Sequence, residues 1–271
     1  MDDRRSLRLA TSILIIAVFV LGCTSTQKPP RPLDLVLVGA DPNYPPFEVF
    51  DSASGATDGF DIELISLVSQ ANRWRHENVS LPYEELLPAL MRGDIDIVAS
   101  AMPIVPEAPP DVAFSDPYYL VSRVLVLRTG DSMITGLEDL PTGPLGVIAG
   151  TNLSSIARQV RNTKTYLRKD VLRALSDLAD GTLAALVVDY PLARALLSTR
   201  TDLRMCSASL GYEYYVFAMR RADSLRLRCI NDALAALLGG YTYEQLHQKW
   251  FGYPPLNVAV PDSVSVHWPA R

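Results

Sequence analysis

The sequence predicts an α/β protein made of two open lobes that are joined by a two-strand hinge. Short apolar runs rich in β-branched residues alternate with segments whose apolar residues recur at helical spacing, as in open sheets covered by helices. This alternation starts again after residue 128, and 271 residues are enough for two such units. The chain is therefore expected to cross between the lobes near Val121–Arg128 and Tyr212–Arg220.

The first lobe is predicted from three strands and two helices. Strands are expected at the short apolar runs Leu33–Gly39, Ile95–Ala99 and Val121–Leu127. Helices are expected where apolar residues recur three or four apart, over Ile62–Ala71 and Glu85–Arg92. A proline-rich turn at Asp41–Phe47 separates the first strand from the first helix.

The pattern repeats in the second part of the chain. Strands are expected at Leu145–Ile148, Ala184–Val188 and Tyr212–Met219. Helices are expected at Asn152–Arg161, Asp170–Ala179, Pro191–Leu197, Asp223–Leu238 and Tyr243–Trp250. The predicted division places residues 33–124 and 213–252 in lobe 1, residues 125–212 in lobe 2, and residues 253–271 in a proline-containing tail.

Composition excludes several classes of function. The chain has 25 Lys and Arg against 30 Asp and Glu, so no nucleic-acid partner is expected, because that usually needs a basic face. Three cysteines and three scattered histidines predict no metal site and no cofactor. Cys206 and Cys229 could pair in an oxidising compartment, but two separate buried thiols fit the sequence at least as well.

The N-terminus resembles a bacterial lipoprotein export signal over residues 1–22. Three arginines precede a short apolar run, which ends in Val20-Leu21-Gly22-Cys23 and is too short to span a bilayer comfortably. The resemblance implies that Cys23 carries the lipid and that residues 23–32 form a tether. The protein would then lie outside the cytoplasm, lipid-anchored to a cell membrane. The alternative is an uncleaved anchor helix with an incidental cysteine.

Six short stretches between Leu33 and Gly252 carry a second resemblance through their order and spacing. They are 41–48 (DPNYPPFE), 59–64 (GFDIEL), 86–90 (LLPAL), 93–96 (GDID), 114–119 (FSDPYY) and 249–252 (KWFG). Together they resemble the periplasmic solute-binding proteins of polar amino-acid uptake, family 3. The resemblance implies the type II periplasmic-binding-protein fold, a monomer, a small-molecule ligand in the cleft between the lobes, and an ABC permease as partner.

The same resemblance implies a set of ligand-binding residues: Asp41, Tyr44, Tyr83, Ser100, Thr151, Asn152 and Asp189. Tyr44 and Tyr83 would stack on the ligand, and Asp189 would bind an ammonium group at the carboxyl end of a strand. Asp41 could receive a cation or shape the turn, and Asp189 could also cap a helix. Gly150-Thr151-Asn152 opens a helix, whose N–H groups suit an anion or a carbonyl.

The sequence departs from this family at the position that binds the ligand's carboxylate. Ala108 stands where the family has arginine, and Pro103 replaces a residue that supplies a hydroxyl and an N–H. Arg92 or Arg123 could substitute for the missing guanidinium. Without such a cation the acidic cleft would repel a carboxylate, which predicts a polar or cationic solute that lacks one.

Three classes of function remain at this stage. A lipid-anchored receptor that delivers a solute to an ABC importer is the first. An accessory or sensory module for a partner protein is the second. A dehydratase, as a few proteins of this fold are, is the least favoured, because the carboxylate clamp such an enzyme needs is missing; the protein is therefore not expected to be an enzyme.

Overall fold

The computed structural model describes residues 34–104, 108–150 and 162–255. The first half of the chain forms eight strands and two helices. The strands are β1 (Leu35–Ala40), β2 (Asn43–Tyr44), β3 (Glu48–Asp51), β4 (Ala56–Asp58), β5 (Arg75–Ser80), β6 (Ile97–Pro103), β7 (Val112–Phe114) and β8 (Tyr119–Arg128). The helices are α1 (Phe60–Ala71) and α2 (Tyr83–Arg92).

Within the described ranges, the second half adds four strands and four α-helices. The strands are β9 (Leu145–Ile148), β10 (Thr163–Tyr166), β11 (Ala185–Asp189) and β12 (Leu203–Arg220). The helices are α3 (Val171–Ala179), α4 (Tyr190–Leu197), α5 (Ser224–Leu237) and α6 (Tyr241–Phe251). The helix predicted at Asn152–Arg161 lies outside the described residues, as does the tail from residue 256 onward.

One large sheet carries both halves, in the order β10-β9-β11-β8-β12-β6-β1-β5, with β7 beside β12. Strands β5, β1 and β6 run parallel at one end, and β10, β9 and β11 run parallel at the other. The long antiparallel pair β8–β12 joins the two parallel groups. This arrangement confirms the predicted fold, two α/β lobes on a two-strand hinge.

An aromatic cluster packs the β2–β3 turn against the helices of the same half. Phe47 lies edge-on to Phe60 with ring centroids 6.1 Å apart, and Phe60 contacts Phe251 of α6 at 4.9 Å. Gly59 begins α1 at φ 139°, where a Cβ would lie 2.1 Å from the carbonyl oxygen of Phe47. Only glycine therefore allows α1 to start this close to the turn, and this start fixes the position of Tyr44 and Glu48.

The predicted strands and helices match the structure closely where the structure describes them. The strands that were not predicted are β5 and β10 in the large sheet, β7 beside β12, and β2, β3 and β4, which form a separate three-stranded sheet. β5 and β10 form the two ends of the large sheet, and most of their side chains are exposed or half-buried and polar. The predicted strand Tyr212–Met219 is the second half of the longer β12. Exposed polar strands lack the apolar run on which the prediction depends.

Three further expectations concern cysteines, metals and membranes. Cys206 and Cys229 are free thiols, so they do not form the disulfide that the sequence left open. In the described ranges no group of three His, Cys, Asp or Glu residues is arranged to hold a metal ion. Across the same ranges, every helix is too short or too polar to cross a bilayer.

Candidate functional site

Tyr44 and Tyr83 form an aromatic cage around a guanidinium group, and the guanidinium belongs to Arg168 of the same chain. The Cζ atom of Arg168 lies 3.9 Å from the centroid of each ring. Tyr44 ends β2 and Tyr83 begins α2, so both rings come from the half that contains β1, β5 and β6. Arg168 follows β10 in the other half, and its side chain is 1% exposed.

The middle of β6 completes the cage with oxygen atoms. Nη1 of Arg168 donates to the carbonyl oxygen of Ser100 at 2.9 Å and to its Oγ at 3.3 Å, and Nη2 donates to the carbonyl oxygen of Ala101 at 3.1 Å. Ala101 has φ 41°, an unusual conformation for alanine. Its N–H donates to Asp61 at 2.6 Å, and this hydrogen bond helps hold the irregular part of β6 whose carbonyls face the cation.

A buried pair of acids lies behind the cage. Glu48 is 3.7 Å from Nη1 of Arg168, and the carboxyl groups of Glu48 and Asp61 lie within hydrogen-bonding reach of each other. Burial and the neighbouring charge of Asp61 raise the pKa of Glu48 well above its usual range, although Arg168 opposes this shift. Burial also raises the pKa of Asp61, despite hydrogen bonds from Tyr118 and the N–H of Ala101.

Asp189 lies on the other side of Tyr44, at the end of β11. It accepts hydrogen bonds from the hydroxyls of Tyr44 and Tyr215, and Arg123 is its register partner on β8. Its side chain makes no capping hydrogen bond to α4, and its Oδ1 has no partner in the described part of the chain. Burial raises the pKa of Asp189, while the two tyrosine hydroxyls and the positive charge of Arg123 act to lower it.

Asp41 makes hydrogen bonds that shape the turn, which is one of the two roles that the sequence allowed for it. Its Oδ1 accepts from the backbone N–H of Asn43 at 3.1 Å and from its side-chain amide at 2.6 Å. Its Oδ2 accepts from the N–H of Tyr83 at 3.0 Å, and its own N–H donates to Oγ of Ser100. Asp41 therefore ties together the segments that carry both rings and the β6 end of the cage.

The loop after β9 covers the cage from the opposite half. A Cβ on Gly150, which has φ 89°, would lie 2.7 Å from the ring of Tyr83 and 3.1 Å from Nη2 of Arg168. The backbone at this position can approach so closely only because it has no side chain. Thr151 and Asn152, the two predicted site residues that follow, lie outside the described residues.

Arg168 brings a cation to Tyr44 and Tyr83, whereas the sequence left open such a role only for Arg92 or Arg123. Neither proposed substitute for the clamp plays this part: Arg92 is exposed and pairs with Glu85 and Asp94, and Arg123 is buried in an ion pair with Glu213. Arg168 was missed because β10 is too polar to be predicted as a strand. Recognising β10 would have placed Arg168 at the carboxyl edge of the sheet, where ligands bind in open α/β folds.

A cavity of about 190 Å³ lies beside the cage, between the β2 turn and residues 167–169, and it is lined among others by Asn43, Glu84 and Lys169. The cage offers two π-faces, two carbonyl oxygens and nearby carboxyl groups, a set suited to a planar cation.

Comparison with known proteins places this geometry in context. The chain is 26% identical over 220 residues to a probable histidine-binding protein of Neisseria gonorrhoeae, covering 79% of this chain and 82% of the relative. It is 27% identical over 243 residues to ABC transporter arginine-binding protein 1 of Escherichia coli, covering 88% and 96%. A solved ancestral amino acid-binding protein, a precursor of cyclohexadienyl dehydratase, is 28% identical with a TM-score of 0.71, covering 80% and 95%.

The family model for bacterial extracellular solute-binding proteins, family 3, matches residues 36–253. This range contains both halves of the large sheet and every residue of the cage. The relatives named above are binding proteins for amino acids, and their likeness extends over most of each chain. The chain therefore belongs to the bacterial extracellular solute-binding proteins of family 3.

Proposed function

We propose that the protein is an extracytoplasmic receptor of an ABC importer, and that it binds a small solute with a planar cationic head. The head would be a guanidinium or amidinium group held in the cage. The observation that carries the proposal is the position of Arg168, whose guanidinium stacks on Tyr44 and Tyr83 and donates to carbonyls of β6. Groups that bind the guanidinium of Arg168 in this manner can also bind the guanidinium of a solute.

The energetics of the cage favour this class of solute. A cation over an aromatic face gains about 0.5–1 kcal/mol when exposed and about 2 kcal/mol when desolvated, and the cage supplies two faces. A guanidinium is flat and carries donors along its edge, so it stacks and donates to β6 at once. An ammonium group is compact and cannot fill the space between two rings, so simple amines would bind less tightly.

A carboxylate is not needed for binding in this proposal. Ala108 is half-buried and Pro103 is buried at the end of β6, so neither supplies the fork or the N–H that would hold one. Asp189 is buried, with one oxygen lacking a partner in the described chain, and it would receive a second cationic group of the solute. A decarboxylated guanidino compound with a terminal amine combines both features.

Calorimetry with agmatine, arginine, citrulline and putrescine tests this function. Agmatine is arginine without its carboxylate, and we expect it to bind at least as tightly as arginine. Citrulline has a neutral head and putrescine lacks the planar head, so both should bind at least tenfold more weakly. Arginine binding that requires its carboxylate, or citrulline binding as tightly as agmatine, would contradict the proposal.

The remaining parts of the proposal concern location and movement. Cys23 carries a lipid, residues 23–32 tether the domain to the membrane, and the monomer docks on an ABC permease. Residues 33–124 with 213–252 and residues 125–212 close on the solute as two lobes. Replacing Cys23 with serine should release the protein from the membrane fraction of cells, and a variant that still sediments with membranes would exclude lipid anchoring at this residue.

A further inference from the structure

The side chain of Arg168 connects the two halves of the large sheet at the cleft. It follows β10, which pairs with β9, whereas the rings, carbonyls and acids around its guanidinium belong to the half built on β1, β5 and β6. In the described part of the chain, all hydrogen bonds of its side chain, its ion pair and both ring contacts are made to that opposite half.

We infer that Arg168 is an internal ligand: it occupies the cage of the unliganded protein, holds the lobes together and must leave before a cationic solute can enter. This inference rests on the cage of the proposed function and adds a competitor to it. Arg168 thereby determines both the affinity and the specificity of the site.

The contacts of Arg168 are those of a ligand rather than of a scaffold residue. An arginine that supports its own domain normally bonds to neighbouring elements of that domain, as the half-buried Arg128 does with the carbonyls of Leu178 and Leu183. Arg168 instead reaches across the cleft. Gly150 lies beside it without a side chain, so the loop after β9 leaves room for its guanidinium and for the ring of Tyr83.

The fit is incomplete, and this makes exchange possible. Nε of Arg168 has no hydrogen-bond partner among the described residues, and its nearest carboxyl group, Glu48, is 3.7 Å away rather than in direct contact. A free guanidino compound is not constrained by the backbone at residue 168. It can therefore adjust its position to satisfy the donor that Arg168 leaves unpaired.

Competition has a measurable consequence for affinity. When a site is available for only a fraction of the time, the apparent dissociation constant equals the intrinsic one divided by that fraction. If Arg168 leaves the cage vacant about a tenth of the time, it weakens solute binding about tenfold. Removing its side chain should recover that factor and should also make the empty cage accessible to the guanidinium ion itself.

The experiment compares Arg168→Ala with wild type, with Arg173→Ala as the matched control, since Arg173 is exposed on α3 and its loss changes the charge equally. Each protein is titrated with agmatine by calorimetry. The thermal stability of each protein is measured in low-millimolar guanidinium chloride, with sodium chloride at the same concentration as reference. The radius of gyration of each is measured by small-angle scattering in the same solutions. Arg168→Lys serves as the second variant, because it keeps the charge and chain length.

We expect Arg168→Ala to bind agmatine at least tenfold more tightly, to have a larger radius of gyration without ligand, and to be stabilised and closed by guanidinium. Arg173→Ala and wild type should not respond to guanidinium, and the affinity and radius of gyration of Arg168→Lys should lie between those of wild type and Arg168→Ala.

Equal agmatine affinity and equal radius of gyration in wild type and Arg168→Ala would overturn the internal ligand while leaving the receptor function intact. Guanidinium rescue of Arg168→Ala without agmatine binding by any protein would support the internal ligand and overturn the proposed function. If Arg168→Ala does not fold, Arg168→Lys decides through the same measurements, and wild-type values throughout would overturn the inference.

Discussion

The substitution Glu48→Gln should remove a pH-dependent loss of stability. Glu48 is fully buried behind the cage, and burial together with the charge of Asp61 raises its pKa well above the ordinary 4.5. Its neutral form is therefore favoured in the folded protein. A raised pKa contributes stability that is present below about pH 4.5 and is lost as pH rises, because the unfolded carboxyl ionises while the folded one keeps its proton.

The magnitude follows from the single proton involved. While only the unfolded state has ionised, the free energy of unfolding falls by about 1.4 kcal/mol for each pH unit. Between pH 5 and pH 7 the loss from this carboxyl is at most about 2.8 kcal/mol, twice that slope. Glutamine has a similar shape and no ionisation, so the variant should match the wild type near pH 4 and exceed it in stability at pH 7.

Urea unfolding followed by the fluorescence of Trp74 and Trp250 measures the effect at pH 4, 5, 6 and 7. The informative quantity is the difference in unfolding free energy between wild type and variant, because other groups titrate equally in both. Asp61 is coupled to Glu48, so the slope belongs to the acid pair rather than to one residue. Glu85→Gln, exposed on α2, is the control. A difference that stays constant from pH 5 to pH 7, or that grows in favour of wild type, would refute the reasoning.

Three other substitutions test the cleft and the fold. Gly150→Ala places a Cβ 2.7 Å from the ring of Tyr83 and should open the cleft, which small-angle scattering would show as a larger radius of gyration. Gly181→Ala is the control, because Gly181 has a similar positive φ but no neighbour within 4 Å. An equal increase in the radius of gyration of Gly181→Ala would contradict the argument. Asp189→Asn removes a buried carboxylate and should weaken agmatine binding about 10- to 150-fold. This range is the loss of a charged hydrogen bond, about 1.5–3 kcal/mol, converted to a change in affinity. An unchanged affinity in calorimetry would show that Asp189 does not bind the solute. Arg220→Met loses hydrogen bonds to the carbonyls of Leu90 and Ile95 and to Asp96, and urea unfolding should show an unfolding free energy lower by about 2–3 kcal/mol. Arg200→Met removes an exposed ion pair and should leave the unfolding free energy nearly unchanged. Equal effects of the two substitutions would show that the Arg220 contacts do not stabilise lobe 1.

The central part of the fold could be predicted because its sequence pattern has a direct physical cause. β1, β6, β9 and β11 lie inside the sheet between layers of helices, so their residues are almost all buried and form continuous apolar runs. The edge strand β5 reads Arg75-His76-Glu77-Asn78-Val79-Ser80 and lies largely exposed. Such a segment becomes a strand only because β1 offers hydrogen bonds beside it, and this cannot be read from its composition.

The candidate site could be predicted only in part. Tyr44 and Tyr83 lie on the same half and both stack on Arg168, and Ser100 contributes to the cage, so these three predicted residues are brought together. Their role in binding a ligand stays a prediction. Glu48 and Asp61 stand in the same motifs but were given no role, since acidic residues are usually exposed and their burial is a tertiary property. Arg168 was missed because the strand before it, β10, is too polar to be recognised from sequence, so nothing placed this arginine at the carboxyl edge of the sheet.

The two hinge strands also form part of the wall of the cleft. Arg123 of β8 lies opposite Asp189, and Tyr215 of β12 donates to its carboxyl group. Any bending of β8 and β12 must therefore shift the groups that surround this carboxyl, and any change in what it binds must change the preferred bend. Substitutions on the exposed part of the hinge, such as at the hydrogen-bonded pair Ser122 and Ser209, would then alter affinity without touching the solute. Differences in ligand preference among proteins of this architecture can consequently arise from the stiffness of their connecting strands as well as from the residues that line the pocket.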